Sequence, residues 1–263
     1  MPLDIPDIVI AGHVCRDVVA EPPGWRTGGA VYYAARTAAE LGRSVGILTC
    51  GAAHELEALR ALPNTTVVAV EAKRSTSFEN TYNLGVRRQV LRALAPPIPA
   101  DLLPPEWIRT PAVLLAPVAA ELAPSAARLF VSGLVGWAVQ GWLRSLKVGE
   151  EVRYQPWQRA EEALAHAAAV ILSEEDLAGH SPAWLGYCGP VLAVTRGERG
   201  CELIHCGKRR LLPVAAPLRG GNKTGAGDVF AAAFMLKLAE IREPIAAAKF
   251  ANDTAARFVA QRP

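Results

Sequence analysis

Residues 220–228 read Gly220-Gly221-Asn222-Lys223-Thr224-Gly225-Ala226-Gly227-Asp228, and the apolar, alanine-rich residues 229–234 follow directly. A glycine-rich turn that runs into helical spacing predicts a helix N-terminus, where backbone N–H groups lack intrahelical partners and the helix dipole is positive. Such a terminus suits a phosphate or a developing oxyanion. Asp228 places a carboxylate beside that anion, where it can hold a metal or accept a proton from an attacking hydroxyl. The pattern therefore indicates phosphoryl transfer.

A plainer interpretation is open, because glycine-rich loops before helices are common and a first-turn Asp simply compensates the helix dipole. The stretch is not a P-loop, since no Gly-Lys-Ser/Thr closes it, and it does not follow the first strand as a dinucleotide-binding loop would. A second glycine element favours the functional interpretation. Gly28-Gly29 opens an alanine-rich segment that closes on Leu41-Gly42, and the predicted strand 8–12 and Asp17 precede it.

This ordered set of motifs resembles the ribokinase-like (PfkB) carbohydrate kinase family over nearly the whole chain. Thr224 to Asp228 matches the family's C-terminal motif, Gly28 to Gly42 resembles its N-terminal motif, and Asp17 matches its sugar-binding aspartate. The remaining matches are Ser173-Glu174-Glu175-Asp176 for the family's Asn-x-x-Glu, Thr195 to Gly200 for the Thr-x-Gly-x-x-Gly turn near the nucleotide, and Phe250-Ala251-Asn252 for the helix bordering adenine.

The resemblance implies an α/β, ribokinase-like three-layer fold, with a mostly parallel central sheet flanked by helices and a small β lid. It implies a single kinase domain over residues 1–263, with lid segments at approximately 14–27 and 74–97. Alternation of short apolar runs with helical patterns independently indicates a parallel α/β sheet. The runs predict strands at 7–11, 45–50, 66–70, 112–116, 128–132, 169–172 and 190–195, and helices at 29–41, 53–61, 156–167, 225–239 and 244–260.

The implied activity is transfer of the γ-phosphoryl group of ATP, with Mg²⁺, to a hydroxyl of a sugar or polyol, including inositol-like acceptors. Asp228 would accept the hydroxyl proton, and the backbone amides of Gly225, Ala226 and Gly227 would stabilise the developing charge. The predicted substrate-binding residues are Asp17, Gly28, Gly29, Tyr33, Gln140 and Arg144. The predicted donor-binding residues are Ser173, Thr195, Gly197, Gly200, Lys223, Thr224 and Asn252, with Glu175 and Asp176 supporting the metal through water.

The chain also departs from the family pattern. Asn222 and Lys223 replace the motif's Asp-Thr, which predicts an altered monovalent-cation site, and Tyr33 replaces a helix-one Asn. A nucleoside kinase, with a base held by Tyr32, Tyr33 or Phe78, is one alternative. A weakly catalytic binding or regulatory protein on the same scaffold is another, and a homodimer through the lid is a further possibility.

The segment from residue 139 to 144 has two interpretations. Gln140 and Arg144 could point into the active cleft, or the segment could be an amphipathic surface helix that buries Trp142 and Leu143.

Composition excludes several other classes of protein. Of 263 residues, 51% are apolar and 20% are charged, which suits a globular enzyme with a sizeable core. A net charge of +3 without a basic run argues against nucleic-acid binding. Five cysteines without framework spacing favour a reducing cytoplasm, and no apolar run approaches the ~18 residues of a membrane span.

Overall fold

The structure, a computed structural model, describes residues 2–19, 24–83, 86–131, 133–158, 160–180, 191–215 and 222–261. Gly220 and Gly221, which open the C-terminal motif, lie outside these residues. The helices are α1 (Ala30–Glu40), α2 (Ala53–Arg60), α3 (Ala160–Leu164), α4 (Ala226–Ile241) and α5 (Pro244–Ala260). The strands are β1 (Ile8–Ala11), β2 (Cys15–Val18), β3 (Trp25–Gly28), β4 (Val45–Gly51), β5 (Thr65–Glu71), β6 (Thr76–Asn83), β7 (Val86–Ala93), β8 (Ala112–Leu115), β9 (Leu134–Ala138), β10 (Arg144–Ser145), β11 (Arg153–Tyr154), β12 (Ala169–Ser173), β13 (Val191–Thr195), β14 (Cys201–His205) and β15 (Lys208–Leu212).

The main sheet has nine strands within the described residues, in the order β15-β14-β13-β12-β9-β8-β1-β4-β5. From β13 to β5 every neighbouring pair is parallel, and β14 and β15 add an antiparallel hairpin at one edge. Parallel strands buried on both faces read as continuous apolar runs, as in β1 and β8, whose residues are all buried. The carboxyl ends of these parallel strands meet at one rim, where open α/β sheets bind ligands.

Side chains alternate between the two faces of this sheet, and each face has its own apolar core. Ile8 and Ile10 of β1 pack in a core with residues of α1, α2, α4 and α5. Val9 and Ala11 face the opposite core, which contains Trp107, Trp137 and residues of α3. The result is three layers, with helices on both sides of the sheet. The predicted α/β three-layer fold is therefore confirmed.

A second, four-stranded sheet lies in the order β3-β2-β6-β7, in the two segments where the sequence analysis expected a lid. β2 pairs with β6 in parallel and with β3 antiparallel. His13 fixes the base of this sheet to the main one, because its Nε2 is 2.8 Å from the Pro96 carbonyl oxygen and its Nδ1 is 2.8 Å from Thr76 Oγ1. Pro96 follows β7 and Thr76 begins β6.

Two predicted elements differ from the structure. The described part of the apolar run 128–132 is not a strand: a 3-10 helix occupies Pro124–Leu129, Val131 is exposed, and the sheet strand is β9. The predicted helix 156–167 is shortened to α3, because Trp157 is buried against Trp142, with ring centroids 4.6 Å apart, ahead of the helix. None of the helices in the described ranges is long and apolar enough to cross a membrane.

Candidate active site

A cavity of about 1000 Å³ opens at the carboxyl ends of the parallel strands. Its lining combines the loops that follow β8, β9, β12 and β13 with the second sheet and the first turn of α4. The predicted site residues that line it are Asp17, Gly29, Tyr33, Gln140, Arg144, Ser173, Glu175, Asp176, Thr195, Gly197, Gly200, Lys223, Thr224, Gly225, Ala226, Gly227, Asp228 and Asn252. Residues from both ends of the chain thus meet around one space.

Gly28 is the predicted site residue that is not among the lining residues. It lies under the carboxylate of Asp17, because a Cβ at position 28 would be only 2.9 Å from Asp17 Cγ. Its contribution is to leave room for that carboxylate rather than to contact a ligand.

Every strand of the second sheet contributes to the cavity: Cys15 and Asp17 from β2, Arg26 from β3, Phe78 from β6 and Gln89 from β7. The strand register explains this arrangement, since Asp17 pairs with Arg26 on one side and with Phe78 on the other, which puts the three side chains on one face. Asp17 is 5% exposed, and its Oδ2 lies 4.0 Å from Arg26 Nε, just beyond hydrogen-bond distance.

Gln140 and Arg144 also reach the cavity, and Asp176 joins them. Gln140 Nε2 donates to Asp176 Oδ1 at 2.7 Å, and Arg144 Nη2 lies 4.0 Å from the same oxygen. The other oxygen of Asp176 accepts from the backbone N–H of Ser173 at 2.9 Å and from its hydroxyl at 3.0 Å. Within the segment 139–144, Val139–Trp142 form a short 3-10 helix in which Trp142 is buried and Gln140 lines the cavity. The segment therefore combines the two interpretations from the sequence, a cleft-facing Gln140 and a buried Trp142.

Asp176 and Glu175, the two predicted metal-supporting carboxylates, have different surroundings. The oxygens of Asp176 are engaged with Gln140 and Ser173. Glu175 is exposed, and within the described part of the chain its side chain makes no hydrogen bond or ion pair. Glu175 is the carboxylate better placed to take up a hydrated cation, while Asp176 positions Gln140 and Arg144.

The pKa of the Cys15 thiol depends on the charges around the cavity. Burial is the main cause that raises the pKa of Cys15 well above its ordinary value, and the negative charges of Asp17, Glu121 and Asp228 raise it further, while Arg144 opposes them. Asp17, Arg144 and Asp228 therefore act on one point in the cavity.

The C-terminal motif forms the predicted helix N-terminus. Gly225 is the N-cap of α4 with φ of 87°, a left-handed conformation that glycine adopts without steric cost, and no side chain of the described residues caps it. The Ala226 N–H donates to the Lys223 carbonyl at 3.1 Å, and the Val229 N–H makes the first i→i−4 bond, to Gly225. The positive end of the helix dipole faces the cavity, with Asp228 in the first turn.

The predicted donor-binding residues include members of the turn after β13 and of α5. Gly197 and Gly200 belong to the turn between β13 and β14, and Lys223 Nζ reaches across to Glu198 Oε1 of that turn at 2.8 Å. Asn252 is buried and donates from Nδ2 to the Leu212 carbonyl at 2.9 Å, which ties α5 to β15. The amide of Asn252 thus has a structural partner, and the apolar lining beside it comes from Ala255, Ala256 and Val259.

The sequence analysis missed the role of Glu121. It is 3% exposed, and its carboxylate accepts backbone N–H bonds from His13 at 2.7 Å, Val118 at 3.1 Å and Ala119 at 2.7 Å. It therefore joins the loop after β1, which leads to Asp17, to the loop after β8. The sequence signal that could have identified it is a glutamate shortly after an apolar strand, in a segment of small residues. A carboxylate buried there needs hydrogen-bond donors.

The C-terminal part of the chain, residues 158–262, matches the sequence model of the pfkB family carbohydrate kinases. The curated proteins contain no significant match to the chain. Solved structures match it over almost its full length.

A pyrophosphate-dependent kinase of the ribokinase family in its sulfate complex has a TM-score of 0.82 at 21% identity, covering 97% of this chain and 96% of that one. The chain has the ribokinase-like fold. A pyrophosphate-dependent kinase of that family complexed with a pyrophosphate analogue and myo-inositol has a TM-score of 0.79 at 21% identity, covering 96% and 94%. Ribokinase from Arabidopsis thaliana, complexed with ribose and ATP, has a TM-score of 0.71 at 18% identity, covering 97% and 93%. The ribokinase-like resemblance drawn from the sequence motifs is therefore confirmed.

Proposed function

We propose that this ribokinase-like protein is a small-molecule kinase that transfers a phosphoryl group to a hydroxyl of a neutral sugar or polyol, with inositol-like acceptors the first to test. The observation that carries the proposal is the shared cavity, in which the N-terminus of α4 and Asp228 meet the polar row of Asp17 and Arg26. The second sheet acts as the lid over the acceptor, within a single kinase domain.

The acceptor end is polar with paired charges. Arg26 faces Asp17 at 4.0 Å, and Arg144 faces Asp176 at 4.0 Å, so each cation has one carboxylate opposite it. Balanced pairs at this spacing suit hydroxyls, which both donate and accept hydrogen bonds. Phe78 adds an apolar surface on the same face for the ring carbons of an acceptor. A structurally similar protein is described as a complex with myo-inositol, which agrees with a cyclic polyol.

The chemistry is an in-line transfer. Asp228 takes the proton of the acceptor hydroxyl as the new O–P bond forms and the bond between the terminal phosphorus and its bridging oxygen breaks. The N-terminal turn of α4 stabilises the charge that develops on the transferred group. The lid and the buried Phe78 exclude water, which would otherwise accept the phosphoryl group.

ATP with Mg²⁺ is the proposed donor. The apolar side chains of Ala255, Ala256 and Val259 along α5 provide a wall for a nucleobase beside the donor turn. Glu175 would support Mg²⁺ through water, since the oxygens of Asp176 are engaged with Gln140 and Ser173, and the bound ion would neutralise phosphate charge. Pyrophosphate is the second donor to test, because two of the similar structures are of pyrophosphate-dependent kinases.

The test is product formation with the purified chain, Mg²⁺ and either ATP or pyrophosphate, over a panel of sugars, polyols, inositols and nucleosides, followed by ³¹P NMR. We expect one polyol class to be phosphorylated and nucleosides to react poorly, because Tyr33 packs against Phe258 inside the protein and Phe78 is the aromatic residue that the second sheet presents. Preferential phosphorylation of a nucleoside would replace the proposal with that alternative. Absence of any phosphorylated acceptor with both donors would favour a binding protein.

A homodimer through the lid is a further part of the proposal. Residues 149–152 cover the outer edge of β7, since the Leu91 N–H donates to the Glu150 carbonyl and the Val152 N–H to the Gln89 carbonyl. The outer edge of β3 is then the lid edge available for strand pairing. Light scattering after size exclusion tests this, and a monomer at all concentrations would contradict it.

A further inference from the structure

One ion pair crosses the donor end of the cavity. Lys223 Nζ lies 2.8 Å from Glu198 Oε1, and both residues line the cavity. Lys223 stands two residues before the N-cap of α4, and Glu198 belongs to the 3-10 turn Gly197–Arg199 after β13. The pair therefore joins the two loops between which a polyphosphate would lie.

The exposure of the Lys223–Glu198 pair suits an exchange of partners by Lys223 rather than a contribution to the stability of the fold. The side chains of Lys223 and Glu198 are 58% and 46% exposed, and exposed ion pairs contribute little to stability. A polyphosphate at the N-terminus of α4 carries more charge than one carboxylate, attracts Lys223 and repels Glu198. Glu198 then competes with the donor for the same ammonium group.

We propose that Lys223 is a ligand of the donor phosphates and that Glu198 is its resting partner, displaced when the donor binds. This inference rests on the proposed function and adds to it a residue that sets donor affinity. It also assigns a use to the Lys that stands where the family motif has Thr. The loop retains its shape during the exchange, because Asn222 Oδ1 accepts the Thr224 N–H at 3.0 Å independently of Lys223.

The two partners are predicted to act in opposite directions, which a purely structural ion pair would not do. In calorimetric titrations of ATP and of pyrophosphate, each with Mg²⁺ and without acceptor, Lys223→Met should weaken binding of the functional donor by about 10-fold or more, the range of a hydrogen bond to a charged group. Glu198→Gln should tighten it by about two- to five-fold, since the carboxylate that competes for the exposed ammonium group of Lys223 is removed. The acceptor KM should stay unchanged in both.

The control is the exposed pair Lys147–Glu150, which does not line the cavity; Lys147→Met and Glu150→Gln should leave donor affinity as in the wild type. Weaker donor binding in both Lys223→Met and Glu198→Gln, or no change in either, would overturn the inference, as would a wild-type protein that binds neither donor. Wild-type turnover of an acceptor reports on the proposed function separately, so the inference can fail while the kinase activity stands.

Discussion

The ring of Tyr33 lies directly against Gly225, so the helix that begins at the N-terminal glycine motif packs on the N-cap of the helix that begins at the C-terminal one. A Cβ at position 225 would be 2.6 and 2.7 Å from Cδ1 and Cδ2 of that ring. Tyr33 is 4% exposed and shares a small apolar cluster with Val229 and Phe258. The turn at the N-terminus of α4 therefore packs against an aromatic side chain at Gly225.

Gly225→Ala should abolish most of the activity, because the methyl group meets the Tyr33 ring and because a left-handed φ of 87° is strained for alanine. We expect donor affinity to fall at least about 10-fold as the turn shifts away from the ring. Circular dichroism shows whether the fold is retained. Gly149→Ala is the control, since its φ is also 87°, nothing lies within 4 Å of a Cβ there, and it is not among the residues that line the cavity. Equal donor affinity in the two variants would contradict this account of Tyr33.

Asp228→Asn should leave the fold and donor binding nearly intact while kcat falls by about 10²–10⁴-fold, the usual contribution of a general base. The amide keeps the size of the side chain and cannot take the acceptor proton. The measurement is steady-state turnover beside the donor dissociation constant of the same preparation. Near wild-type turnover in Asp228→Asn would remove Asp228 from the mechanism.

Asp17→Ala should raise the acceptor KM strongly and leave the donor KM nearly unchanged, because Asp17 lies in the second sheet and not in the turns proposed to hold the donor. The substitution also removes the carboxylate that faces Arg26, whose Nε lies 4.0 Å from Asp17 Oδ2. Asp253→Ala, at an exposed position on α5, serves as the control. A larger effect on the donor KM than on the acceptor KM would place Asp17 at the wrong end.

Glu121→Gln should destabilise the protein and impair acceptor binding together. The amide NH₂ group would face backbone N–H donors of the loops after β1 and β8, and an unmade buried hydrogen bond costs about 1–3 kcal/mol. For a chain of this size, that corresponds to a fall in Tm of about 2–5 °C. The exposed Glu57→Gln should change neither quantity. An unchanged acceptor KM at a lowered Tm would make Glu121 a stability residue only.

The fold was largely predictable because its strongest signals are local: apolar runs for the buried parallel strands, and glycines that open α1 and α4. The sequence analysis missed strand β9 because Gly133 and Gly136 interrupt the apolar run that would have indicated it. Gly136 is required by packing, since a Cβ there would be 2.9 Å from Met235 Cε, a contact between distant segments. The hydrogen-bond partners of Asp176, Lys223 and Glu121 could not be predicted from the sequence either. Each bond joins loops that only the folded sheet brings together.

The loop at Asn222 leads to the last prediction, an enzyme that needs Mg²⁺ and is largely indifferent to K⁺. Asn222 Oδ1 accepts the Thr224 N–H at 3.0 Å, so an internal hydrogen bond orders the turn where a carboxylate could order it through a cation. The amide oxygen is a neutral and weaker ligand for a hard cation than a carboxylate, and the adjacent ammonium group of Lys223 repels one. The measurement is turnover at fixed ionic strength with K⁺ exchanged for a bulky organic cation, in the wild type and in Asn222→Asp. We expect little change in the wild type and K⁺ dependence, if any, in the aspartate variant. A many-fold loss of wild-type rate on removing K⁺ would show that a cation site persists at this loop.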